Sequence, residues 1–200
     1  SEVHVIRNGH DSVANPFFDG SKHIGDTDMA AQADVIIQSS SIGPLDVPLE
    51  PEHSRQIVLR ISPFASQGPY ANWKSADLVD AAIAGHLRLS GDPQREPING
   101  VPDIVHMAAG VTGFIGALAA LMTLARTGHG QVVETSHQEV IAALHQFSLL
   151  RYTHNEEILN RMGNRYSGPG TPIGAYECAD GWVGIAIAQS DQMERLLEVA

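Results

Sequence analysis

One cysteine, Cys178, in 200 residues leaves nothing for an internal disulfide to join. The fold must therefore be held by packing, and a reducing, cytoplasmic setting is the simpler expectation. A lone thiol with no base beside it reads as a small apolar residue and not as a nucleophile. Basic residues are scarce too: 12 Lys and Arg stand against 23 Asp and Glu, a formal charge of -11. That balance speaks against a nucleic-acid or anionic-membrane surface, so any anionic ligand must be held by single cations or backbone N–H groups. The sequence shows no repeat, low-complexity tract, charge block, signal peptide or lipidation motif. What it does have is 43% hydrophobic residues, enough for a core in one domain or a domain and a half. It opens on Ser1 and stops inside an amphipathic pattern at 192–200, so both ends read as cut from something longer.

Residues 3–6 (VHVI) predict a short strand, and 8–30, rich in Gly, Asp and Asn, a loop with room for one short helix. The continuous apolar runs 33–38 (ADVIIQ) and 56–61 (QIVLRI) suit strands buried on both faces. Between them Pro44, Pro48 and Pro51 mark an irregular connection. This pattern predicts an α/β fold with a parallel, Rossmann-like sheet. Residues 62–70 are turn chemistry, and 75–90 a helix with Ser75 as its N-cap. Asp103 stands where an N-cap would, before an almost wholly apolar stretch to Arg126. Gly110, Gly113 and Gly116 make one face of that helix thin, so another backbone can come close. The length would permit a membrane span, but Ala and Gly supply little hydrophobicity and His106 lies inside. A helix buried at a domain centre or dimer contact is expected, and no membrane partner.

A strand at 132–135, a helix at 137–151, and a polar, Gly-rich linker or active-site loop at 155–170 follow. Residues 173–176 and 182–188 flank Asp180-Gly181 and predict a β-hairpin, and Ser190 a cap for the last helix. The histidines do not suggest a metal: His10, His23, His137, His145 and His154 lack tight ligand spacing with acidic or Cys partners.

Three segments together resemble the class III CoA-transferase (CaiB/BaiF-like) family, which includes formyl-CoA transferase and the carnitine CoA-transferases. They are ISPFASQGPY at 61–70 followed by Asp77-Leu78, GALAALMTLARTGHGQ at 116–131, and GAYECADGWVGIAIA at 174–188. Each is weak alone; their order and spacing are fairly specific, and they cover 33–200. The resemblance implies a large Rossmann-like domain at 1–150, incomplete at its start, a linker with a glycine loop at 151–170, and the beginning of a small α+β domain at 171–200. It implies an interlocked dimer, with coenzyme A or acyl-CoA and a small carboxylic acid as substrates; the histidine spacing adds no metal to these. Ser62, Phe64, Gly68 and Pro69 match the loop that lies along CoA, with Arg88, Arg95 and Lys74 the nearest cations for its phosphates. Gly168 and Gly170 fall where the family keeps a mobile glycine loop. Of the family's upstream basic segment only Arg7-Asn8-Gly9 gives an echo.

In this family an Asp near the start of the long helix attacks the donor thioester, and its carbonyl later carries CoA. Counting back from Gly110 and Gly116, that position holds His106. An imidazole can be acylated or act as a general base, but it has no carbonyl on which to carry CoA. Three readings follow. The chain transfers CoA between acyl-CoA and a carboxylic acid, with Asp103 as a displaced nucleophile. It is a non-catalytic domain or subunit, paired with a competent homologous copy. Or it is an acyl-CoA hydrolase using His106. Racemase chemistry of the related enzymes lacks support, since Ala76 precedes Asp77 and no acid stands at 106.

Overall fold

The computed structural model describes residues 4–5, 23–24, 32–39, 55–165, 172–187 and 189–199. The connection rich in proline, the Arg7-Asn8-Gly9 echo, and the loop with Gly168 and Gly170 lie outside the described residues. The α/β fold is centred on a parallel three-stranded sheet of β3 (Val35–Ser39), β4 (Ile57–Ser62) and β5 (Gln131–Ser136), in the order β3-β4-β5. β1 (His4–Val5) and β2 (His23–Ile24) form a separate parallel pair. Between β4 and β5 run α1 (Asp77–Ile83), α2 (His86–Leu89) and the long α3 (Ile104–Thr127). After β5 come α4 (His137–Leu144) and α5 (Gln146–Asn155), then the antiparallel hairpin of β6 (Ile173–Cys178) and β7 (Gly181–Ala186), and α6 (Ser190–Val199).

β4 is the strand expected to be buried on both faces: Ile57, Val58 and Leu59 are at most 1% exposed. It sits between two partners, with Ile57 opposite Val35 and Gln131. β3 departs from the same expectation. It lies at the edge of the described sheet, and Ile37 is 64% exposed, because an edge strand has a neighbour on one side only. β5 enters the sheet beside Gln56, and a Cβ on Gly130 would lie 2.1 Å from the Gln56 carbonyl oxygen. Only glycine admits that approach.

The thin face of α3 meets its own sheet. A Cβ on Gly113 would touch Leu59 and Ile61, and one on Gly116 would come within 2.8 Å of Val133. Ala109 and Ala117 join Leu59, Ile61 and Val140 in one core cluster, while Val105 joins Ala81 and Ile141 in a second. Gly110 faces open space. By length and composition the helix could cross a membrane, with a mean hydropathy of 1.9; its small-residue side is instead the one packed on β4 and β5. The bulky side is bare: Val111, Phe114, Ile115, Leu118 and Met122 are 44–70% exposed.

Three helices differ from expectation. The segment 75–90 is broken at Gly85, whose φ of 87° ends α1 and starts α2, a backbone that glycine adopts freely. Ala76, not Ser75, holds the N-cap position of α1. The segment 137–151 is two helices that meet at His145. Ser190 is the first residue of α6 and not its cap, since Met193 N–H bonds the carbonyl of Gln189.

Candidate active site

In a parallel sheet the carboxyl ends of the strands carry the loops that can shape a site. Here β4 and β5 finish side by side, Ser62 opposite Ser136. The loop after β4 is fastened across that edge. Ser62 donates to the Phe64 carbonyl (2.7 Å), Ser66 donates to Glu134 of β5 (2.6 Å), and Gln138 N–H donates to the Pro63 carbonyl (3.2 Å). Phe64 is 3% exposed, packed on Tyr70 and Trp73. Its ring is therefore core, and the faces open to a ligand in this loop belong to Tyr70 and Trp73, 37% and 51% exposed. Gly68 sits at φ 112° and Pro69 beside it is exposed. Arg88 is occupied away from phosphate duty, bonding the Leu159 carbonyl and Asn160 Oδ1, while Arg95 and Lys74 are exposed.

After β5, Ser136 caps α4. Its hydroxyl accepts from Glu139 N–H (3.3 Å) and donates to the Glu139 carboxylate (2.6 Å), a Ser-x-x-Glu arrangement that satisfies an otherwise orphaned helix-end donor. The cap fixes His137 as the first residue of α4, turned inward and 4% exposed. There its Nδ1 lies 2.7 Å from Oδ2 of Asp80, which is 1% exposed on the inner side of α1. A carboxylate only accepts, so His137 donates from Nδ1. The second Asp80 oxygen accepts from the Ser75 hydroxyl. Both oxygens of a buried acid are thus matched, as burial of a polar group demands.

His106, the third residue of α3, stacks edge-on against His137 at 4.8 Å between ring centroids and 82° between planes. Its side chain is 45% exposed, and its Nδ1 is 3.5 Å from Asp103 Oδ1 and 3.9 Å from Asp77 Oδ1. Asp103 occupies the N-cap position, but its side chain caps nothing. It adopts φ 60°, uncommon for a residue other than glycine, and points a 75% exposed carboxylate toward His106. Asp77 is held through Oδ2 by Asn99 (3.1 Å), whereas its Oδ1 is buried with no hydrogen-bond partner among the described residues.

The structure therefore joins His106 and Asp103, both expected, with Asp77 and with two groups that sequence reading did not place in the site, Asp80 and His137. A second imidazole pair lies elsewhere, His86 Nδ1 3.0 Å from His145 Nε2 where α2 meets α4 and α5. Burial, and then the neighbouring His86, holds the pKa of His145 below the usual imidazole value.

The description CoA-transferase family III matches residues 26–200. An L-carnitine CoA-transferase from a Proteus species (strain LE138) is 26% identical over 199 residues, 96% of this chain and 49% of the relative. The corresponding enzyme of Proteus mirabilis is 27% identical over 150 residues, 74% of this chain and 37% of its own length. Among solved structures, a CaiB/BaiF family protein from Brucella suis superposes with a TM-score of 0.68 at 27% identity, covering 86% of this chain and 47% of the other. A mutant of Rv3272 from Mycobacterium tuberculosis gives 0.73 at 22% identity over 99% of this chain and 59% of the other, a likeness of fold. The chain spans about half the length of the curated relatives it matches. With the family description covering most of its residues and the parallel sheet shared with a CaiB/BaiF structure, the chain belongs to CoA-transferase family III.

Proposed function

We propose that this chain takes part in CoA transfer from an acyl-CoA to a small carboxylic acid, with Asp103 supplying the carboxylate that His106 displaces from the family position. One observation carries the reading: Asp103 is spent on no cap, stands exposed at the start of α3, and lies 3.5 Å from the His106 imidazole. The Asp103 carboxylate attacks the thioester carbonyl, the C–S bond breaks, and CoA leaves as thiolate from a mixed anhydride. The thiolate returns to the Asp103 carbonyl and releases the donor acid, leaving an aspartyl-CoA thioester. The acceptor carboxylate attacks that thioester, and the thiolate then takes the acceptor acyl group and restores Asp103. His106 beside the nucleophile offers an N–H to the developing oxyanion. The exposed rings of Tyr70 and Trp73 and the Ser62–Pro69 turn are the surface for CoA, and Gly168 and Gly170 the loop that closes over it. The Rossmann-like large domain to residue 150, the linker to 170 and the small domain from 171 complete this reading.

Incubation with acyl-CoA and hydroxylamine tests it. Trapping of an acyl-enzyme that is lost in Asp103→Asn supports transfer through Asp103. Thioester hydrolysis that survives in Asp103→Asn and vanishes in His106→Ala replaces it with the hydrolase reading. Neither trapping nor hydrolysis leaves the chain as the silent member of a pair with a competent homologous copy.

The bare apolar side of α3 favours an assembly in which a second copy covers it, as the interlocked dimer of the family would. Light scattering of the protein is expected to give a dimer; a monomer at micromolar concentration would show that this face is covered otherwise.

A further inference from the structure

We propose that Asp77 is a positioning residue: its buried Oδ1 is the resting acceptor of the His106 Nδ1–H, drawing that donor away from Asp103 so that the Asp103 carboxylate can attack. This deepens the transfer reading and rests on it. His106 Nδ1 faces two carboxylate oxygens, Asp103 Oδ1 at 3.5 Å and Asp77 Oδ1 at 3.9 Å. Carboxylates only accept, so this nitrogen is the donor. Neither contact has the ordinary length of a hydrogen bond, about 2.7–3.2 Å. The imidazole stands between two acceptors, and a movement of about 1 Å or less completes either bond.

Burial decides which acceptor holds the donor at rest. Asp77 Oδ1 is buried with no hydrogen-bond partner among the described residues, while its Oδ2 is held by Asn99 at 3.1 Å. That grip keeps the carboxylate from turning its open oxygen toward solvent. The Asp103 side chain is 75% exposed against 22% for Asp77, so water satisfies Asp103 when the imidazole leaves it. An unpaired acceptor costs more when buried than when exposed. The N–H therefore gains most by closing on Asp77, and His106, with a side chain 45% exposed, has room to do so.

The neighbouring pair shows the closed form of the same arrangement. Asp77 and Asp80 lie three residues apart in α1 and share a face. Asp80 takes the Nδ1–H of His137 at 2.7 Å, and the two imidazoles meet edge-on. α1 thus offers two carboxylates to two imidazoles, one from α3 and one from α4. The inner bond is closed and buried. The outer one is open, as a donor that changes partners during turnover requires. As Asp103 attacks, negative charge gathers on the thioester carbonyl oxygen, and the His106 N–H swings from Asp77 to that oxygen. When the C–S bond breaks, the charge leaves with the thiolate and the N–H returns to Asp77.

The test is the tautomer of His106, read in the full chain by long-range proton–nitrogen NMR correlation in alkaline buffer, which requires no activity. His106→Gln identifies the signals by their loss. The wild-type ring is expected as Nδ1–H, unchanged in Asp103→Asn. In Asp77→Asn it should invert to Nε2–H, because the near-isosteric amide keeps its oxygen for Asn99 and turns an N–H toward His106. An Nε2–H ring in the wild-type chain overturns the proposal, as does a tautomer that changes in Asp103→Asn and not in Asp77→Asn. Asp103 is exposed, so its variant keeps the test decisive even where Asp77→Asn fails to fold. In the transfer assay, Asp77→Asn should lower kcat on the order of 10²-fold with KM unchanged, the scale of a misplaced catalytic group; an unchanged kcat also overturns the proposal. Absence of transfer in the wild-type chain sinks the transfer reading, whereas the tautomers sink or keep the Asp77 contact.

Discussion

Replacing Asp80 with alanine is expected to destabilise the protein by about 3–5 kcal/mol, the usual consequence of breaking a buried pair from one side. The mechanism is specific. The His137 Nδ1–H, 2.7 Å from Asp80 and in a residue 4% exposed, loses its short acceptor contact. The Ser75 hydroxyl loses its Asp80 acceptor as well and keeps a longer contact to the Ala76 carbonyl (3.4 Å). Against a typical total of about 5–15 kcal/mol, this is a large fraction of the stability. It should appear as a lowered urea midpoint with an unchanged slope. Replacing both partners at once, Asp80→Leu with His137→Leu, removes the polar requirement together with the groups that satisfy it, and should recover most of the loss. If Asp80→Ala alone unfolds within about 1 kcal/mol of wild type, the contact contributes little and the site is held by α1 and α4 packing instead.

The largest effect on activity is expected from His106→Asp. It restores a carbonyl-bearing group at the third position of α3, where the helix N-terminus favours negative charge. CoA transfer measured with acyl-CoA and a carboxylic acid should rise on the order of 10²-fold or more, comparable to the contribution of a well-placed catalytic group. The rise should come with an acyl-enzyme trappable at residue 106. Transfer that is present in the wild-type chain and unchanged in His106→Asp would mean that Asp103 already supplies the carboxylate as well as residue 106 could; no transfer in either would mean that the histidine is not the only departure from the family's site.

The sheet was legible because its central strand is written without ambiguity: Ile57, Val58 and Leu59 form an apolar run that only a two-sided neighbour can bury. β3 carries a similar run yet lies open at Ile37, since a sequence does not say which strand ends up at an edge. The helix break at Gly85 was available as a glycine within an apolar period, but the period on both sides masked it. Of the site, His106 and Asp103 were visible through counting along α3. Asp80 and His137 were not, because their meaning lies in a contact 57 residues apart. Two local marks pointed toward them: an acid three residues after Asp77 on the inner side of a short helix, and Ser136 followed three residues later by Glu139, which pins His137 to a helix start.

The two-sidedness of α3 bears on how variants of this chain should be judged. Its alanines and glycines answer to the chain's own sheet, whereas Phe114, Ile115 and Met122 answer to whatever lies beyond. A polar replacement at those outer positions would look harmless, even beneficial for solubility, in any assay of the lone polypeptide. On the proposed pairing of two copies, its harm would surface only at concentrations where the copies associate, so tolerance mapped on the dilute chain ranks these residues upside down.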